Sequence, residues 1–203
     1  MTQGATTSIY QVTARILNMI TSDLQTSSAK AYLASLRQSV GRDVHLAAGV
    51  FPLIFSNIPE EHLGKSGELT AGERSIILAL QLYAVHQQGS GQSVNYPGNS
   101  DLTKMVDNIG ASFRSLRATE DSQAVDRRFN AMITATDFNE LANHLRHLIK
   151  LVKARTEAKI NYAQLAQDLF WFQLGYESSI RLKWSRAYYR HYKEGKGEKS
   201  DER

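Results

Sequence analysis

The sequence predicts an all-α protein, a bundle of about eight to nine helices in two lobes, and three observations carry that prediction. Only three prolines occur in 203 residues and long stretches lack glycine clusters, so little interrupts helices and little supports a many-turned β architecture. Apolar residues recur at intervals of three and four along most of the chain, which is the period of one helix face. Capping signatures precede several of those runs. The chain is 42% hydrophobic and 22% charged, enough for one substantial core or two small bundles.

Ile9, Val12, Ile16, Ile20 and Leu24 share one face of a first helix. Ser27 or Ser28 is the expected cap of a second, which turns Leu33, Leu36 and Val40 inward, sets Lys30 and Arg37 two turns apart on another face, and ends at Gly41. Asp43 to Ile58 is apolar nearly all round. It reads as a buried helix bent at Pro52, the central scaffold. Thr70 and Glu73 have capping-box spacing ahead of Ile76, Ile77, Leu80, Tyr83 and Ala84, in a helix that runs to about Gln88.

Residues 89–100 concentrate Gly, Ser, Asn and Pro and are expected to form a flexible linker between an N-terminal lobe, 1–88, and a C-terminal lobe, 101–192. Leu102, Met105, Ile109, Phe113 and Leu116 mark the next helix. Val125, Phe129, Met132 and Ile133 mark another that starts near Ser122. Asp137 to Glu140 repeats the cap spacing before Leu141, Leu145, Leu148, Ile149 and Val152, and Asn161 is placed to cap a helix through Tyr162, Leu165, Leu169 and Phe172. Gly175 breaks the chain, and Ile180, Trp184, Tyr188 and His191 give the last helix an aromatic inner face. Residues 193–203 lack an apolar anchor and are expected to form a disordered tail.

The charge is uneven. Residues 1–143 carry 11 Lys and Arg against 13 Asp and Glu, whereas residues 144–193 carry 10 against 3. Two ridges account for much of this. Arg146, Lys150 and Lys153 lie opposite Leu145, Leu148 and Val152, and Lys183, Arg186, Arg190 and Lys193 point away from Trp184 and Tyr188. A solvated helix face ordinarily mixes signs. Neither ridge contains a carboxylate, so on charge alone phosphate binding and plain surface are equally supported. Arg114, Arg117, Arg127 and Arg128 add cations in the two preceding helices.

Other chemistries find little support. There is no cysteine, so disulfides, thiolate zinc sites and thiol nucleophiles are excluded. His144 and His147 have no third ligand nearby, and His86 is expected to bind the carbonyls that end its own helix. Asp168 sits among Leu165, Leu169 and Phe170, where a carboxylate needs a partner, and Arg186 or Arg181 is the expected one. No phosphate loop, GxSxG, HExxH or paired-carboxylate motif occurs, so neither enzymatic activity nor a cofactor is expected. The longest apolar stretch, Leu46 to Phe55, is about half the length of a membrane span, and residues 1–10 have no positive region before an apolar run, so neither a signal peptide nor an anchor is expected. The expected location is the cytoplasm.

The segments VDRRF (125–129), DFNELANHLRHLI (137–149), NYAQLAQDLFWF (161–172) and RLKWSRAYYR (181–190), with LASLRQSVGRD (33–43) and LYAVHQ (82–87), together resemble the CasB family. This is the small subunit of the type I-E CRISPR surveillance complex, Cascade. The resemblance runs from about Leu33 to Arg190. It implies an all-helical, non-catalytic subunit that packs as a pair, beside crRNA held by the backbone subunits, with the large subunit as a further partner. It also implies that basic surfaces support the crRNA–target DNA duplex and the displaced strand of the R-loop by contacts to the phosphate backbone. On that analogy Arg37, Arg128 and Arg146 match the family's recurrent arginines. Asp137 and His147 stand where some relatives carry arginine, so the phosphate path does not transfer residue by residue. The competing reading is a helical adaptor that binds an acidic protein, anchored by Trp184, Tyr188 and Tyr189.

Overall fold

The structure, a computed structural model, describes residues 7–42, 44–96, 108–118 and 122–190, without the side chains of Val44 and His45. Among these residues the regular structure is all helical, joined by turns and loops, apart from one isolated β-bridge.

Helix α1 (Ile9–Thr21) opens with a full capping box: Ser8 Oγ accepts from the Gln11 amide and the Gln11 side chain accepts from the Ser8 amide. It buries Ile9, Val12, Ile16 and Ile20 as their spacing predicts, while Leu24 lies past its end. Helix α2 (Ser27–Gln38) is capped by Thr26, one residue before the serines expected to do so, through its hydroxyl and the Ala29 amide. Gly41, with φ +67°, turns the chain away, in a conformation that glycine adopts without steric cost.

The long helix expected from Asp43 to Ile58 is not formed. Asp43 lies outside the described residues, Val44–Val50 is a 3-10 turn, and α3 (Phe51–Phe55) is short. The cause is Pro52, which sits in the first turn of α3. There its missing N–H costs nothing, whereas inside a continuous helix it would clash with the carbonyl four residues back. Leu46, on the turn, is 47% exposed. The central scaffold is instead α4 (Ala71–Gln87), opened by the Thr70–Glu73 capping box and buried on nearly every side. Helices α1, α2, α7 and α8 pack around it.

Asn108 caps α5 (Ile109–Arg114), and the expected earlier part of that helix, with Leu102 and Met105, lies outside the described residues. Helices α6 (Ser122–Ile133) and α7 (Phe138–Arg155) follow, the second capped by Asp137 through the Asn139 and Glu140 amides. Asn161 caps α8 (Tyr162–Trp171). A kink over Phe172–Tyr176, with Gly175 at φ +89°, leads into α9 (Glu177–Tyr189). Helix α9 lies so close to α5 that a Cβ on Gly110 would run into the Trp184 carbonyl. His191, Lys193 and the tail lie outside the described residues.

One apolar core runs from Ile9 and Val12 through Leu80 and Tyr83 to Leu165, Trp184 and Tyr188, so residues of both expected lobes pack together. Of the expected linker, the stretch up to Tyr96 is tied down: Tyr96 donates to the Ile160 carbonyl (2.9 Å), and Ile160 donates to that of Val94 (3.1 Å). Residues 97–100 lie outside the described set. No described helix is long and apolar enough to cross a membrane.

Candidate nucleic-acid interface

Helix α7 enters the core through Leu141, Leu145, Leu148, Ile149 and Val152, and this fixes Arg146, Lys150 and Lys153 on its outer side, where the 3.6-residue period places them. Both α2 and α7 pack on α4. Their cationic faces therefore meet above its C-terminal half. Arg37, Arg42, Val40, Val85, Arg146 and Lys150 line one open cleft of about 380 Å³. Lys153 continues the line, and its ammonium donates to Gln88 Oε1 at 3.4 Å. Burial first, then the neighbouring Arg37 and Lys150 charges, hold the Lys153 pKa below the usual lysine value. The same repulsion is felt at His147, whose pKa is lowered by desolvation and by Arg146, Lys150 and His144.

Arg146 is the most constrained of the set. Its Nη2 donates to Asn143 Oδ1 at 3.0 Å, and its Nε is buried without a partner. Among the described residues, no carboxylate lies within ion-pair distance of Arg37, Arg42, Arg146, Lys150 or Lys153. A cleft with several like charges and no internal counter-ion gains most from a ligand that brings a row of negative charges. Sequence spacing gave no sign of Arg42, which reaches the cleft only because the turn at Gly41 swings it toward α7.

The remaining candidates are placed elsewhere. Lys183 does not belong to a carboxylate-free ridge: its ammonium donates to Asp168 Oδ1 at 2.8 Å. Asp168, 1% exposed, also accepts from Trp184 Nε1 (2.7 Å) and Gln164 Nε2 (2.8 Å), so its partner is neither Arg186 nor Arg181. Arg181 donates instead to the Ala135 carbonyl at 2.7 Å. Arg186 and Arg190 are exposed at the outer end of α9, and Lys193 lies outside the described residues. Arg117 pairs with Asp126 (3.0 Å) and lies over the Tyr188 and Tyr189 rings, so its charge is already compensated. Arg114 donates to the Ala187 carbonyl at 3.4 Å. Arg127 and Arg128 are exposed on α6, where Arg128 bonds to the Ala124 carbonyl of its own helix.

Two further expectations are corrected. Trp184 and Tyr188 are fully buried and cannot anchor an adaptor, whereas Tyr189 is 39% exposed and donates to Asn130. His86 bonds through Nδ1 to Tyr162 Oη at 2.9 Å rather than to carbonyls of its own helix. No group of three His, Asp or Glu side chains among the described residues is arranged to hold a metal ion.

Fold and cleft together define a class: a small helical protein that presents, between two helices, a cationic cleft with no carboxylate in ion-pair reach among the described residues. The chain belongs to the CRISPR-associated Cse2 family, whose sequence model, CRISPR-associated protein Cse2, matches residues 32–189. Its structure is similar to that of CasB from Thermobifida fusca, with a TM-score of 0.71 at 23% identity, covering 91% of this chain and 99% of that one. M. ruber CasB is similar with a TM-score of 0.63 at 22% identity, over 90% and 93% of the two chains. A CRISPR-associated Cse2-family protein from Thermus thermophilus follows at 0.61 and 20%, over 90% and 99%. No curated protein sequence matches. The structural likeness establishes a shared fold.

Proposed function

We propose that this chain is the non-catalytic small subunit of a cytoplasmic type I-E Cascade, and that its α2–α7 cleft holds the phosphate backbone of crRNA, target DNA or the displaced strand. The observation that carries the reading is the convergence of Arg37 and Arg42 with Arg146 and Lys150 on one cleft that no carboxylate lines among the described residues. Sequence is then read by guide–target pairing, and this subunit adds sequence-blind contacts that tip a nearly balanced strand exchange. Its partners in that role are the backbone and large subunits and a second copy of itself. Arg127, Arg128, Arg186 and Arg190 are further phosphate contacts. Lys183 and Arg117 are secondary ones because each is already paired with a carboxylate, and Arg114 is another because it donates to the Ala187 carbonyl.

The test is retention of oligonucleotides by the purified chain over a range of salt, for wild type and the double variant Arg37→Glu, Lys150→Glu. The reading requires weak, sequence-independent binding whose logarithm falls linearly with log salt, by about one unit of slope per phosphate neutralised. Charge reversal must abolish it while the fold is kept. Affinity indifferent to salt overturns the reading, as does failure to enter a ribonucleoprotein when the chain is co-expressed with Cascade subunits and a guide RNA.

A further inference from the structure

Three hollows in the surface share residues and run in series. Arg37 lines both the α2–α7 cleft and a hollow of about 260 Å³ beside Lys30. Gln88, Gly89 and Ser90 line that second hollow and also a third, of about 360 Å³, enclosed by the end of α4, the segment to Val94, Lys153 and residues 156–159. The third hollow lies within the range of about 300–1,000 Å³ that ligand sites occupy.

Its walls are fixed by one buried amide. Gln87, 3% exposed, donates through Nε2 to the carbonyls of Ser90 (3.0 Å) and Gln92 (2.9 Å) and accepts through Oε1 from the Val94 amide (3.0 Å) and Tyr83 Oη (2.9 Å). Gly89, at φ +83°, makes the reversal that this clamp holds. The bridge to Ile160 secures the far side. The hollow is therefore formed before any ligand arrives.

Its chemistry differs from that of the cleft. Lys153 and Lys159 are its exposed cations, and Ser90, Gln92, Ser93 and Glu157 offer donors and acceptors together. A site for phosphate alone has no use for a carboxylate, but Glu157 can accept a hydrogen bond from the amino group of a base. A duplex brings phosphates, but its bases are stacked and their Watson–Crick edges paired, so it brings no base free to enter the hollow. A single strand brings both.

We propose that this hollow seats one unpaired nucleotide of a single strand that lies in the cleft, with Lys153 and Lys159 holding its phosphates and the polar wall receiving its base. The inference rests on the phosphate-holding reading of the cleft and adds to it a seat that unpaired nucleic acid alone can use.

The test uses the full chain with single-stranded and duplex oligonucleotides, DNA and RNA in parallel. Filling the hollow by Ala158→Trp weakens single-strand binding several-fold and leaves duplex binding and the salt slope as they were, whereas Lys150→Glu weakens both. A single strand carrying 2-aminopurine brightens on binding wild type, as its base leaves the stack, and this needs no variant should Ala158→Trp fail to fold. Response to either DNA or RNA supports the inference and names the source. Unchanged 2-aminopurine emission, or single-strand affinity untouched by Ala158→Trp while Lys150→Glu reduces it, overturns the hollow and leaves the cleft standing. Indifference to Lys150→Glu removes both. Protection of the hollow from chemical modification by poly-glutamate, with no response to either strand, identifies an acidic polypeptide as the occupant and overturns the inference.

Discussion

The Arg146 guanidinium occupies the space that a side chain on Gly41 would fill: a Cβ built there would stand 2.8 Å from Arg146 Nη1. The end of α2 and the middle of α7 are thus fitted to each other at the cleft, and the fit needs both the missing side chain and the positive φ.

Gly41→Ala should cost stability and displace Arg146 together. A non-glycine residue in the left-handed region costs about 1–2 kcal/mol, and the added methyl pushes the guanidinium from its place. Urea unfolding reads the first effect and oligonucleotide retention the second. Arg146→Ala in the Gly41→Ala background should lose little further affinity, because the two changes act on one contact.

Asp168→Ala should destabilise the α8–α9 corner. It leaves the buried Trp184 N–H without an acceptor, a loss of about 1–3 kcal/mol, while the half-exposed Lys183 adds less because water screens its charge. Lys183→Ala, by contrast, should lower stability modestly and lower the salt slope of oligonucleotide binding less than Arg186→Ala does, since its charge is already engaged by Asp168. Arg186→Ala should lower that slope. A thermal melt and a salt titration of the three variants check all of this.

Stability should fall in mild acid. Burial, and then the Lys153 charge, hold the His86 pKa down to about 4 in the folded chain, against 6.5 when free. Between those values the unfolded chain binds the extra proton. The contribution is therefore complete above pH 6.5 and is lost as pH falls toward 4, by on the order of 2 kcal/mol. Urea midpoints measured across that window should drop in wild type and drop less in His86→Gln.

Oligonucleotide binding should tighten over part of the same range. His147 is kept from protonating by desolvation and by Arg146, Lys150 and His144. A phosphate in the cleft offsets the repulsion from those cations, so the bound state takes up a proton more readily than the free one, and affinity rises as pH falls through the ordinary histidine range. His147→Gln should flatten the profile. An unchanged profile would mean that no phosphate approaches this part of α7.

Local signals carried much of the fold. The capping box at Thr70, the caps at Asp137 and Asn161 and the break at Gly175 were all legible because each depends on a few adjacent residues. The stretch from Val44 to Phe55 was misread because uniform hydrophobicity does not distinguish a buried helix from a turn and a short helix packed against one. The α7 ridge was legible from period alone, and Arg37 entered through resemblance. Its place beside Arg146 and Lys150 depends on how α2 and α7 lean on α4. The partner of Asp168 was missed for the same reason: the crossing of α8 and α9 past Gly175, rather than helix spacing, decides which ammonium reaches it.

The contact at Gly110 has a consequence for how this surface can vary. Helix α9 is seated on α5 by main chain meeting main chain, at the Trp184 carbonyl, and by its buried inner face. Outward positions such as Leu182 and Arg186 carry no part of that seating. Substitutions there can retune what the helix offers to neighbours while its position stays locked, so the rim of the protein can diverge quickly on a frame that does not move.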